Sequence, residues 1–195
     1  AKAFYEGSIA TKIVEAVAGH ATNPSLLSLQ DMKSYEAKWR DPVFGAYRGF
    51  EVCGMGPPSS GALTIGQILG MVSQFDIATL GPDDPETWRI IGDATRLAFA
   101  DRERYMADAD FVTMPKGLLN ADYLKARAEL IRRPTALPDD AVKAGDPPWA
   151  KAELRIDGFT WEAPSTSHFV IVDADGDVAS MTTSIENGFG ARLMA

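Results

Sequence analysis

With a single cysteine, Cys53, the chain can form no internal disulfide, and two histidines are too few for a Cys/His zinc site. Basic residues are in the minority: 19 Lys and Arg stand against 27 Asp and Glu, a formal net charge of -8. Holding a phosphate backbone takes a clustered basic face, so no nucleic acid partner is expected. No apolar run reaches the roughly 18 residues that a membrane helix needs, and no membrane segment is expected in this piece. The opening AKAFYEGSIATKIVEAV has neither the basic segment nor the apolar core and small-residue cleavage site of a signal peptide. It starts inside an amphipathic pattern without Met, which is how a piece of a longer precursor would begin. There are no internal repeats and no low-complexity runs.

What is present suits one sizeable core, or a domain and a fraction: 195 residues, 46% of them hydrophobic. Ile9, Ile13, Val14 and Val17 share one helical face over 7–18. Ser28 with Asp31 resembles a capping box opening a short helix to about Trp39. Val43–Cys53 reads as a strand pair turning near Arg48-Gly49. After the loop Gly54–Gly61, the residues Leu63, Ile65, Ile68, Leu69 and Val72 read as a buried helix. Asp84-Pro85-Glu86 starts another, running to about Met106 and burying Trp88, Ile91, Ala94, Leu97 and Ala98. The alternating charges Asp101-Arg102-Glu103-Arg104 in its last turns read as a solvated or salt-bridged face. Asn120 caps a further helix, 121–131. Residues 132–164 are proline-rich with few apolar positions, which predicts an extended, poorly packed segment.

The chemistry concentrates after that segment. From Thr166 the pattern alternates, with Thr166, His168, Val170 and Val172 on one strand face and Ser167, Phe169 and Ile171 on the other. Asp173-Ala174-Asp175-Gly176 fits a type I turn followed by a left-handed glycine. Asp173 then pairs with Asp177, and counting back puts Thr166 opposite Ser184, a hydroxyl pair about 5 Å apart. A threonine hydroxyl needs a base to attack a carbonyl. At a chain's first position its own α-amine, of pKa about 7.7–8.0, can serve, which requires cleavage of the Ser165–Thr166 bond. Spacing alone equally allows an ordinary edge threonine with a cross-strand partner. His168 reads as a hydrogen-bonded residue of the same face or an aid to processing, and Cys53 as a buried, inert thiol. The run Asp173–Asp177 has its glycine too early for a calcium loop, and the turn accounts for it.

Thr166-Ser167-His168-Phe169, Val172-Asp173, Gly176, Thr182-Thr183-Ser184 and Phe189-Gly190 resemble the start of the small subunit of the γ-glutamyltranspeptidases, which are N-terminal-nucleophile hydrolases. Upstream, Phe4-Tyr5-Glu6-Gly7, Trp39-Arg40-Asp41-Pro42, Pro57-Pro58-Ser59-Ser60-Gly61 and Leu97-Ala98-Phe99-Ala100-Asp101-Arg102 extend the resemblance over nearly the whole chain in one order. It implies an α/β (α+β) fold: part of an αββα sandwich, helices covering a mostly antiparallel sheet. It also implies that 1–165 is the C-terminal part of a large subunit, with 132–165 the extended segment before the cut. Residues 166–195 would start the small catalytic subunit, the whole being a fragment of one larger domain.

The activity so implied is γ-glutamyl acyl transfer and hydrolysis, on glutathione-like γ-glutamyl amides, through an acyl-enzyme on Thr166 formed after autocleavage at Ser165-Thr166. Ser184 stands where the family usually has a threonine supporting the nucleophile. Glu186 and Asn187 fall in the stretch that contacts the glutamyl group. Glu186 departs from the family's usual asparagine, and its charge suits a cationic amine and disfavours a carboxylate. Similar Ile-Glu-x-x-Phe-Gly stretches occur in relatives described as cephalosporin acylases and in capsule-processing transpeptidases, which keeps a cephalosporin/glutaryl acylase as the alternative. A non-catalytic, uncleaved relative is the rival from outside the enzymes. Ala62 is a smaller departure, where the family loop usually has glycine. The partners implied are a small-molecule γ-glutamyl substrate, an amino-acid or peptide acceptor, and the remaining large- and small-subunit segments of the same precursor. No cofactor is expected. The family suggests a periplasmic or extracellular location. Its substrate-binding arginine and oxyanion-hole loops fall outside these residues, so the piece alone is expected to be inactive.

Overall fold

The computed structural model describes residues 1–148 and 166–185, and the chain divides into two compact units, Ala1–Lys38 with Trp161–Ala195 and Trp39–Thr160. In the first unit, helices α1 (Lys2–Tyr5), α2 (Ser8–Ala18) and α3 (Leu29–Ser34) form a small cluster. The Tyr5 and Tyr35 rings stack at 6.0 Å, and Ala10 is the buried point of α2. Ser28 and Asp31 make the expected capping box, with Ser28 N–H donating to Asp31 Oδ2 at 2.8 Å, and the helix ends at Ser34 rather than near Trp39.

In the second unit, strands β1 (Val43–Tyr47) and β2 (Phe50–Gly54) pair antiparallel about Arg48-Gly49. Both turn residues have positive φ, 49° and 88°, the geometry a two-residue hairpin loop needs to match strand twist. One face of this hairpin lies on helix α4 (Gly61–Val72). Phe44 and its cross-strand partner Cys53 sit exposed, so Cys53 is not the buried thiol expected. Helix α5 (Ile77–Leu80) leads to α6 (Pro85–Tyr105), and α7 (Ala121–Glu129) packs on α4. Met71, Ile90, Leu97, Leu124, Ala128 and Ile131 carry the core these helices share.

The buried stripes differ from the expected ones. On α4 the buried residues are Thr64, Gln67, Met71 and Val72, while Ile65 is 49% exposed. On α6 Ala94, Leu97 and Ala98 are buried as expected, but Trp88 is exposed, its indole N–H donating to Pro82 O at 2.7 Å. Asp93 and Asp101 take the interior instead, at 2% and 1% exposure; within the charge run of the last turns Asp101 is not solvated but is salt-bridged, to Arg127 at 3.2 Å. The segment after α7 is extended, with a 3-10 turn at Asp139–Ala141, and residues 132–136 and 138–141 are exposed as expected, but Leu137 is buried in the core.

The start of α6 follows from local chemistry. Asp84 caps it, accepting Glu86 N–H at 2.8 Å; Pro85 fills the first helical position, and Arg102 and Arg104 face the carbonyl end. Asp84→Ala is expected to lower unfolding free energy by about 1 kcal/mol, read as a shift of the urea midpoint at unchanged slope.

Returning to the first unit, strands β3 (Thr166–Val172) and β4 (Val178–Ser184) form an antiparallel hairpin, every residue of which is exposed. The chain thus combines helices with antiparallel strands, as the α+β reading expects, although among the described residues the strands form two separate pairs rather than one sheet. No helix among the described residues is long and apolar enough to cross a membrane.

Candidate active site

The register of the β3–β4 hairpin is set at its turn. Asp173 N–H donates to Asp177 O at 3.0 Å, and Asp173 Oδ1 accepts the N–H groups of Asp175 and Asp177 at 3.0 and 2.9 Å. Gly176 takes φ +89°, a conformation that L side chains rarely adopt. From this closure the ladder counts Val172↔Val178 back to Thr166↔Ser184, the pairing that the loop chemistry predicts.

At the far end of the ladder, Thr166 Oγ1 donates to Ser184 Oγ at 3.0 Å. Two residues along the same face, the His168 ring bridges two hydroxyls: Nδ1 lies 2.8 Å from Thr182 Oγ1 and Nε2 lies 3.2 Å from Ser180 Oγ. Each hydroxyl can donate or accept, so either ring nitrogen finds a partner here. The face therefore carries a row of hydroxyls fixed by cross-strand bonds, with Thr166 at its end. Sequence reasoning found Thr166, Ser184 and His168 but not Ser180 and Thr182; they were there to be found, by extending the same register count. Ser165, Glu186 and Asn187 lie outside the described residues. Among the described residues, no group of three or more His, Cys, Asp or Glu side chains could hold a metal ion.

Comparison with known proteins bears on this hairpin and on everything before it. The family model described as gamma-glutamyltranspeptidase matches residues 1–195. The chain belongs to the gamma-glutamyltranspeptidase family. Its relatives include the glutathione hydrolase proenzyme of Escherichia coli (strain K12), 33% identical over 193 residues, covering 98% of this chain and 31% of the relative. The acylase ACY 1 proenzyme of Pseudomonas sp. (strain V22) is 31% identical over 191 residues, covering 97% of this chain and 31% of that protein. Among solved structures, the gamma-glutamyltranspeptidase of Helicobacter pylori superposes with a TM-score of 0.66 at 38% identity, over 74% of this chain and 41% of that one. The chain thus spans about a third of the length of the curated relatives it matches. Both of those relatives are named as proenzymes, which agrees with a precursor carrying further segments.

Proposed function

We propose that Thr166 is the nucleophile of a γ-glutamyl transferase and hydrolase, released as a chain N-terminus when the precursor cuts its own Ser165–Thr166 bond. The observation that carries this reading is the Thr166 Oγ1 to Ser184 Oγ hydrogen bond at 3.0 Å, formed at the head of a strand within a chain of this family. The α-amine freed by the cut takes the hydroxyl proton as Oγ1 attacks the γ-carbonyl carbon of a γ-glutamyl amide. The C–N bond breaks, the amine leaves with that proton, and an ester to Thr166 remains. Water then attacks the ester to give glutamate, or an amino acid or peptide amine attacks to give a new γ-glutamyl amide. Ser184 orients the nucleophile's hydroxyl. Residues 1–165 belong to the large subunit and 166–195 to the small one, and activity requires the remaining segments of both.

An acylase reading is favoured by the 31% identity to an acylase proenzyme, and the Ile-Glu-x-x-Phe-Gly pattern at Glu186 keeps it open. Against it, a carboxylate at 186 suits the α-ammonium that a γ-glutamyl group has and a glutaryl group lacks. A charge-assisted contact of that kind corresponds to roughly tenfold or more in discrimination. Full-length protein is therefore expected to hydrolyse a γ-glutamyl anilide with at least about tenfold higher kcat/KM than the matching glutaryl anilide. The reverse order would assign it to the acylases. An uncut chain by intact mass, inert to both, would mark a non-catalytic relative.

A further inference from the structure

Helix α6 grips the backbone of the segment that follows α7 at two points, with the same device each time. Asp93 accepts the Leu137 N–H with both carboxylate oxygens at 3.1 Å, and Arg96, one turn on, donates from Nη1 to Leu137 O at 2.6 Å. Asp101 accepts the Gly145 N–H at 2.9 Å, and Tyr105, one turn on, donates its hydroxyl to Gly145 O at 2.6 Å. Each pincer therefore satisfies both the N–H and the C=O of a single residue, as a partner strand would. Arg127 Nη2 adds a donor to Lys143 O at 2.8 Å. The carboxylates are eight residues apart on the helix, a rise of about 12 Å, and so are the two gripped residues, which fully extended would span over twice that. The 3-10 turn at Asp139–Ala141 takes up the difference.

Leu137 is required to fill the core, and residue 145 to have no side chain: a Cβ there would meet the Tyr123 hydroxyl at 2.5 Å and Arg127 Cδ at 3.0 Å. Val142 also packs against the core, and Arg96 Nη2 pairs with the Asp139 carboxylate. The contacts at 137, 143 and 145 are hydrogen bonds to main chain, and none of the contacts named here lies beyond Gly145.

We propose that α6 is a peptide-docking surface that holds residues 137–145 in the uncut precursor and continues to hold them after the chain is severed downstream. Combined with the proposed cut at Ser165–Thr166, on which only this last step rests, the large subunit would keep its C-terminal arm docked on α6 instead of shedding it.

The test severs the arm by choice. A specific protease site is inserted between Lys151 and Ala152 of the full-length protein carrying Thr166→Ala, and amide hydrogen exchange is followed by mass spectrometry before and after cutting. The Leu137 and Gly145 amides are expected to exchange at rates equal within about threefold in the two states. Exchange that rises on severing to the rate of an unstructured peptide would overturn the proposal. Gly145→Ala is expected to speed exchange over 143–146 on the order of 10- to 100-fold, the scale of a charge-assisted hydrogen bond, while Leu137 stays protected. Unchanged exchange over 143–146 would also overturn it. Tyr105→Phe, which removes only the donor to Gly145 O, supplies the same reading if Gly145→Ala disturbs the helix. Absence of self-cleavage in the wild type would defeat the proposed function and leave this test intact, because the cut used here is made by the added protease.

Discussion

Thr166→Ala in the full-length precursor is expected to leave one uncut chain and to lower acyl transfer by about 10⁴-fold or more, the scale on which loss of a nucleophile is felt. The substitution deletes Oγ1 and its 3.0 Å bond to Ser184; the hydroxyls left on that face, Ser184, Thr182 and Ser180, are internal to the chain and would have no α-amine of their own to act as base. Thr166→Ser keeps the hydroxyl and the amine and is expected to be cut. Intact mass and a γ-glutamyl anilide assay read both variants. A Thr166→Ala protein that still separates into two pieces, or still turns over, would remove Thr166 from the chemistry.

The largest loss of stability is expected from Asp101→Ala. Asp101 accepts from Gln67 Nε2 at 2.8 Å, from the Tyr123 hydroxyl at 2.6 Å, from Arg127 Nη2 at 3.2 Å and from the Gly145 N–H, and it is 1% exposed. Removing it strands the Arg127 guanidinium in the interior with three neutral donors. Breaking one partner out of such a buried pair costs about 3–5 kcal/mol. By contrast the Arg132–Glu129 pair at 2.9 Å, with both side chains about half exposed, belongs to a class worth roughly 0–1 kcal/mol. Urea unfolding of Asp101→Ala should separate the two scales clearly, and a loss below about 1 kcal/mol would mean that the network contributes no more than a surface pair.

The same network carries a pH signature. Burial first, and then the bond to Asp101, push the Tyr123 phenol far above its usual value of 10.0, so it stays protonated in the folded chain. The unfolded chain loses that proton near its ordinary value. The stability supplied by this phenol is therefore complete below about pH 10 and declines as pH rises above it. Tyr123→Phe should lessen that alkaline decline.

How legible these features were in the sequence depends on distance along the chain. The β3–β4 register could be counted because a four-residue turn and strict alternation determine it locally, and the start of α6 because Asp84, Pro85 and Glu86 are adjacent. The interior of α6 could not be read in this way. Asp101 reads as part of a solvated or salt-bridged face, and Asp93 carries no local signal, until Gly145 and Leu137, each 44 residues away, arrive to occupy them. The opposite error occurred at Trp88 and Cys53. Apolar character suggested burial, but Trp88 found a carbonyl at the surface and Cys53 fell on the uncovered face of a hairpin with a helix on one side only. The hydroxyl pair was found from spacing, while its meaning came from resemblance, since threonine opposite serine on an edge strand is common.

The turn at Asp173–Asp177 lies well away from Thr166, yet it decides which way the Thr166 hydroxyl looks. Side chains alternate between the faces with a period of two, so closing the loop one residue shorter or longer would turn one strand over relative to the other. Thr166 would then confront Thr183 or Ile185 in place of Ser184, and His168 would lose its two hydroxyls. Gly176, with no chemical group to offer, thereby acts as the indexing pin of the site: the handedness of one glycine is converted, rung by rung along a ladder, into the orientation of a hydroxyl.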